Sequence, residues 1–206
     1  MAEMVAVLLK AQGATPQAGL IEAQLRNLAA RAAAGGMTIG RIAAYGWRSG
    51  THAGPEVYAY LWLAAPRSVP ADLLPGFDGS LAGLPAQAGA LERVDDRAGA
   101  SSGADAPVHY VVETDLAPGS EGAVNDWYDG EHLAGLAAVP GTVRAQRLVN
   151  LTAGPRSYAC YDLVSLDTHD SPPWLEVRGT EWAARVRPNF RNTKRTLFER
   201  LFDLAL

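Results

Sequence analysis

VHYVVETDLAPGSEGAVNDWYDGEHLAGLAAVPGTVRAQRLVNL, residues 108 to 151, reads as a strand, a helix and a second strand. Val108 to Leu116 is rich in the β-branched and aromatic side chains that suit a pleated surface. Glu121 to Val139 repeats its apolar residues near the helical period, and Pro140-Gly141 stops it. Beyond residue 151, SYACYDLVSL (157–166) predicts another strand, and PPWLEVRGTEWAARVRP (172–188) a helix with Pro172 or Pro173 in its first turn. RTLFERLF (195–202) closes the chain as a strand, although Leu197, Phe198, Leu201 and Phe202 fit a helix equally well. The element order is β-α-β-β-α-β, a split βαβ or ferredoxin-like plan.

The preceding residues follow the same order. MVAVLLKA (4–11) is strand-like, AGLIEAQLRNLAARAAA (18–34) helical, and MTIGRIAAYGWRSG (37–50) and PEVYAYLWLAAP (55–66) are two more strands. Pro66 to Gly89 is rich in Pro and Gly and predicts at most a short helix, and LERVDD (91–96) a closing strand. DRAGASSGADAP, Asp96 to Pro107, has the small, polar, Pro-terminated chemistry of a linker. The expected organisation is therefore an α+β chain of two tandem ferredoxin-like halves: residues 1–95, a linker at 96–107, and residues 108–206. Antiparallel sheets with apolar residues on both faces need cover on both, which two sheets packed face to face supply. A single pseudo-dimeric chain and a homodimer are both allowed.

Across 206 residues, 48% hydrophobic and 19% charged content permits a sizeable core and argues against global disorder. A net charge of −4 provides no broad basic field, so neither nucleic acid nor an anionic membrane surface is expected as a partner. The lone Cys160 excludes an internal disulfide and a cysteine-based zinc site. The apolar run after the first residues lacks a basic flank and is too short to span a bilayer, so a cytoplasmic protein is expected.

NDWYDGEHL (125–133), VPGTVRAQRL (139–148) and RPNFRNTKR (187–195) resemble the EthD-like branch of the dimeric α/β-barrel superfamily. The resemblance covers roughly residues 108 to 200. It implies ferredoxin-like sheets packed as in a dimeric α/β-barrel, and a ligand space between the helix and the sheet. The first half departs from the pattern: its helix carries EAQLRNLAAR and no histidine. If the family site is kept, it is kept only in the second half, and residues 1–95 are a degenerate copy.

His132 is the candidate that matters most. At about 100° per residue, Val124, Tyr128, His132, Gly135, Leu136 and Val139 share one arc, with Trp127 and Glu131 flanking it. His132 should therefore point at the sheet, where its ring nitrogens need partners. Either it is a structural residue bonded to a strand carboxylate or carbonyl, with Glu113 or Asp162 as possible partners, or it is a general acid or base in a pocket. Tyr128 follows it into either environment. Trp127 is expected mainly as packing, Asn125 and Asp126 as first-turn residues, and Glu131 as a flanking solvent residue. Arg147 lies among apolar strand neighbours, where it could bind a carboxylate or enolate or pair with Glu113 or Asp162. Tyr161 could donate a hydrogen bond to a ligand. Arg185, Arg187, Arg191, Lys194 and Arg195 form a basic cluster that suits either an acidic ligand or a solvated surface.

No phosphate loop, dinucleotide fingerprint, zinc-protease motif or nucleophile elbow is present, and no two histidines are spaced i,i+4. No metal or cofactor is expected, and nothing selects haem or flavin. The functional expectation is a small-molecule enzyme of EthD-like type. It would perform cofactor-independent proton transfer, in the isomerase, cyclase, dehydratase or decarboxylase class, on a carbonyl, lactone or aromatic polyketide-like compound. His132, Tyr128 and Arg147 would be catalytic, and Trp127, Glu113 and Tyr161 would bind substrate. The alternative is a non-catalytic small-ligand-binding or accessory protein of a catabolic pathway.

Overall fold

The structure is a computed structural model that describes residues 2–52, 54–69, 76–77 and 79–206. It is α+β with antiparallel sheet. In chain order the elements are β1 (Met4–Gln12), α1 (Ala18–Ala34), β2 (Ile39–Gly50), β3 (Glu56–Arg67), β4 (Gly79–Leu81), β5 (Leu84–Ala98) and β6 (Val108–Leu116). A continuous helical run follows: α2 (Glu121–Trp127), a π-turn (Tyr128–His132) and α3 (Leu133–Ala137). Then come β7 (Thr142–Asn150), β8 (Ser157–Leu163), α4 (Leu166–His169), α5 (Pro172–Arg178), α6 (Glu181–Val186), a 3₁₀ turn (Arg187–Asn189) and β9 (Phe190–Ala205).

The chain divides into two compact units. The first holds Met1–Arg93, Asn150–Ala153 and Phe198–Leu206, and the second Val94–Val149 and Gly154–Leu197. In the first unit the strand order is β4-β5-β1-β3-β2, followed by the last part of β9. Arg41 of β2 donates from Nε to Asp203 of β9 at 2.6 Å. α1 buries Ile21, Leu25, Leu28 and Ala29 against Val7, Leu9, Ile42, Ala44, Val57 and Ala59. All of these are aliphatic, so close packing meets no unpaired polar atom there.

In the second unit the order is the first part of β9, then β6-β8-β7 and the end of β5. Val108, Tyr110, Ala145, Ala159, Tyr161 and Leu163 form the helix-facing side of this sheet, under Val124, Trp127, Tyr128, Leu133 and Leu136. The helical run approaches α5 closely at Gly135, where a Cβ would lie 2.8 Å from Val177 Cγ1. Any side chain there would push the two helices apart.

Three elements differ from the sequence expectation. The segment 66–89 contributes a β-hairpin: β4 and β5 are joined by Ala82 and Gly83, both at positive φ (49° and 86°), with Leu81 opposite Leu84. Two consecutive positive φ values make the tight hairpin turn that matches strand twist. The described residues between β3 and β4 form no α-helix, so the first half lacks the second helix of the expected order among the described residues. Part of the stretch expected to hold at most a short helix, residues 70–75, lies outside the described residues. The expected helix 172–188 is two helices, because Gly179 ends α5 and Thr180 caps α6, its Oγ1 accepting from the Ala183 amide at 3.1 Å. RTLFERLF is strand, within β9. No helix among the described residues is long and apolar enough to cross a membrane.

Candidate active site

The helical run 121–137 places Trp127, Tyr128 and His132 on its sheet-facing side, as its periodicity predicts. The turn from Tyr128 to His132 is a π-turn. Such single wide turns inside α-helices are rare and recur at functional sites. His132 lies at its end, 6% exposed. Its ring stacks on Trp127, with centroids 4.1 Å apart and planes 19° apart, and meets Tyr128 edge-on at 5.6 Å.

Neither expected acid holds this histidine. Asp162 accepts from His109, whose Nδ1 is 2.7 Å away, and the two residues are directly opposed on β8 and β6. Glu113 is buried and ion-paired with Lys194 of β9 at 3.2 Å. His132 makes no hydrogen bond among the described residues, and its Nδ1 is fully enclosed without a partner. Burial, together with the nearby charges of Arg187 and Arg178, lowers its pKa to about 3. The ring is neutral at physiological pH, able to accept one hydrogen bond and donate another.

His132 opens onto a small cavity of about 30 Å³. Trp127, Tyr128, Tyr161, Tyr110, Trp174 and Phe190 form its aromatic walls, and Val112 and Leu136 its aliphatic ones. Arg178, Arg187 and Arg195 complete the lining. Two further buried polar atoms here lack partners, the Tyr161 hydroxyl and Trp174 Nε1. Buried polar atoms are normally paired, so three orphans around one cavity need an explanation. Burial raises the pKa of Tyr128 to about 12 and that of Tyr161 well above its ordinary value, so both phenols stay protonated donors.

Of the sequence candidates, His132, Tyr128, Trp127 and Tyr161 meet at this cavity. Arg147 does not line it. It lies behind Tyr128, its guanidinium carbon 4.1 Å from the ring centre, and it donates to Asn125 Oδ1 at 2.9 Å. Among the described residues Arg147 makes no ion pair, so its expected pairing with Glu113 or Asp162 is absent. It faces a second recess of about 260 Å³, shared with Asn125, Asp115, Glu121 and Arg156. Glu113 lines neither recess. Glu131 is no solvent residue: its Oε1 accepts from Trp127 Nε1 at 3.2 Å and from Thr180 Oγ1 at 2.6 Å, tying the π-turn to the start of α6. Tyr110, Trp174 and Arg178 were not legible as site residues. The only advance signal was the i,i+4 spacing of Trp174 and Arg178, which puts both on one face of α5. No cluster of three metal-ligating side chains occurs among the described residues.

No family model matches this chain, and no curated protein sequence matches it. Solved structures do. A candidate monooxygenase from Fusobacterium nucleatum superposes with a TM-score of 0.63 at 7% identity, covering 100% of this chain and 98% of its own. An anthrone oxidase-like protein gives 0.59 at 15% identity, covering 98% and 93%. A ferredoxin-fold protein from Listeria monocytogenes, related to antibiotic biosynthesis monooxygenases, gives 0.52 at 8% identity, covering 95% and 94%. The chain shares the ferredoxin-like fold of these proteins. At such identities the likeness extends to the fold alone, and function has to be argued from the site.

Proposed function

We propose that the chain is a small-molecule enzyme whose active site is the His132 cavity. It would work by proton transfer on a carbonyl, lactone or aromatic polyketide-like compound without a tightly bound cofactor. The observation that carries this is the set of three enclosed, unpartnered polar atoms, His132 Nδ1, Tyr161 Oη and Trp174 Nε1, in residues lining one cavity. A filled structural core would have paired them or replaced them with apolar groups. The oxidase-like and monooxygenase-like neighbours are consistent with a small-molecule enzyme of this superfamily. We assign the chain to its EthD-like branch on the NDWYDGEHL, VPGTVRAQRL and RPNFRNTKR segments. We also read it as a tandem of two ferredoxin-like halves, supported by the matching orders β5-β1-β3-β2 and β9-β6-β8-β7.

In this mechanism neutral His132 removes a proton from the carbon beside a carbonyl. The C–H electron pair moves to the carbonyl oxygen, which a protonated Tyr128 or Tyr161 stabilises as an enolate by hydrogen bonding. The imidazolium then returns the proton to another position. Arg147 acts through Tyr128: its charge on the phenol ring favours the electron-rich oxygen and holds the ring in place. Deuterium incorporation tests the proposal. In D₂O the protein should catalyse exchange at the acidic carbon of a β-keto acid, a lactone or an aromatic polyketide mimic, and His132→Phe should lower that rate by about 10²-fold or more. Exchange at the buffer rate for every compound would remove the enzymatic assignment.

A second reading is a non-catalytic ligand-binding or accessory protein. The low pKa of His132 favours it, since such a ring is a weak base. It predicts binding without exchange.

A further inference from the structure

We propose that the ligand of the His132 cavity is a carboxylic acid, bound as its planar carboxylate by Arg178 and Arg187. The inference rests on reading this cavity as a ligand site and names the class of compound that enters it.

Arg178 stands at the end of α5, and Arg187 opens the 3₁₀ turn after α6. Both line the cavity with Arg195, and its lining contains no aspartate or glutamate. Among the described residues the side chain of neither Arg178 nor Arg187 makes a hydrogen bond or an ion pair, although both residues are partly buried. Two cationic side chains on one cavity, Arg178 and Arg187, each without a paired acid among the described residues, repel one another. Consistently, burial and then Arg178 and Arg195 push the Arg187 pKa down. Arg187 and Arg178 also act on the His132 ring.

An acid resolves each of these features. A carboxylate accepts paired N–H bonds from guanidinium groups in a geometry that a lysine cannot match. Its charge cancels the repulsion among the arginines. It also removes part of what holds the His132 pKa down, so the bound ligand makes the base that is to act on it stronger. The walls suit a flat molecule: Trp174 and Tyr161 stand edge to face at 5.2 Å, and Trp127 presents a ring stacked on His132. The phenols remain protonated, so they add donors and no competing negative charge. A phosphate would satisfy the arginines but not the flat walls.

The test is a titration of the full chain with acetoacetate, benzoate and inorganic phosphate, and with acetoacetamide and benzamide as neutral partners of the two acids. Binding is read from calorimetry and from the indole N–H resonance of Trp174. The acids should bind at least tenfold more tightly than their amides, and more tightly than phosphate. Arg178→Gln and Arg187→Gln should each weaken acid binding at least tenfold and abolish the preference for acid over amide. Because each substitution relieves repulsion, the variants should melt no lower than the wild type, so a lost preference cannot be ascribed to unfolding. Amides binding as well as acids would overturn the carboxylate assignment and leave the cavity as a ligand site. Phosphate binding as well as the acids would overturn the planar class. No binding by any of the five would overturn both this inference and the cavity reading on which it rests.

Discussion

The two units solve the same packing problem in opposite ways. α1 and the helical run 121–137 have the same length, 17 residues, and each covers one face of its unit's sheet. α1 is regular and buries only aliphatic side chains. The run 121–137 is broken by a π-turn and buries Trp127, Tyr128 and His132 around a cavity lined by orphaned polar atoms. A fold that can be filled with leucine and alanine does not need those groups for stability. Their grouping around one cavity is what supports placing the proposed site in the second unit.

The contrast can be broken by substitutions. The largest effect is expected in the first unit: Leu25→Ala, at a wholly buried site, should cost about 2–5 kcal/mol by chemical denaturation. A loss under about 1 kcal/mol would show that the α1 interface is not close-packed. Gly135→Ala should cost about 1–3 kcal/mol, because the new methyl group meets Val177. An unchanged denaturation midpoint would mean that α3 and α5 can part freely. Tyr161→Phe removes a hydroxyl that has no partner, and should leave stability unchanged or raise it by about 1 kcal/mol. A comparable loss would reveal a bond this geometry does not contain.

A separate effect, accumulated over several pH units, is in the pH dependence. His132 has a folded-state pKa near 3, below the ordinary 6.5 it regains on unfolding. Between those values the unfolded chain binds the extra proton, so stability falls as pH drops from about 6.5 toward 3, by at most about 1.4 kcal/mol per pH unit. His132→Phe should remove that part of the acid slope, measured as the wild-type-minus-variant difference in unfolding free energy. Parallel curves would mean the histidine is not held neutral.

Much of the second unit could be read from its sequence because its signals are local. Valines and aromatics marked β6, and the 3.6-residue period turned His132 inward. What escaped detection depends on partners brought together by the fold. Asp162 is opposite His109 only in the β6–β8 register, which no periodicity specifies. Glu113 finds Lys194 only because the last segment is a strand, which its apolar spacing left open between strand and helix. The β4–β5 turn carries Ala82 where Asn or Asp would have announced a hairpin, so the tight turn was hidden. The π-turn leaves no mark, since one wide turn barely shifts the apolar pattern. Trp174 and Arg178 reach the cavity from a helix whose sequence does not say which neighbour it covers.

If His132 is held in the second unit for a ligand, as proposed, it contributes nothing to that unit's stability. The thermal melting of His132→Phe beside the wild type at pH 7.5 tests it most directly. Phenylalanine keeps the stack on Trp127 and removes both ring nitrogens. The melting temperature should equal or exceed that of the wild type, because an enclosed, unpartnered nitrogen is replaced by carbon. A fall of several degrees would contradict it and return His132 to the structural core.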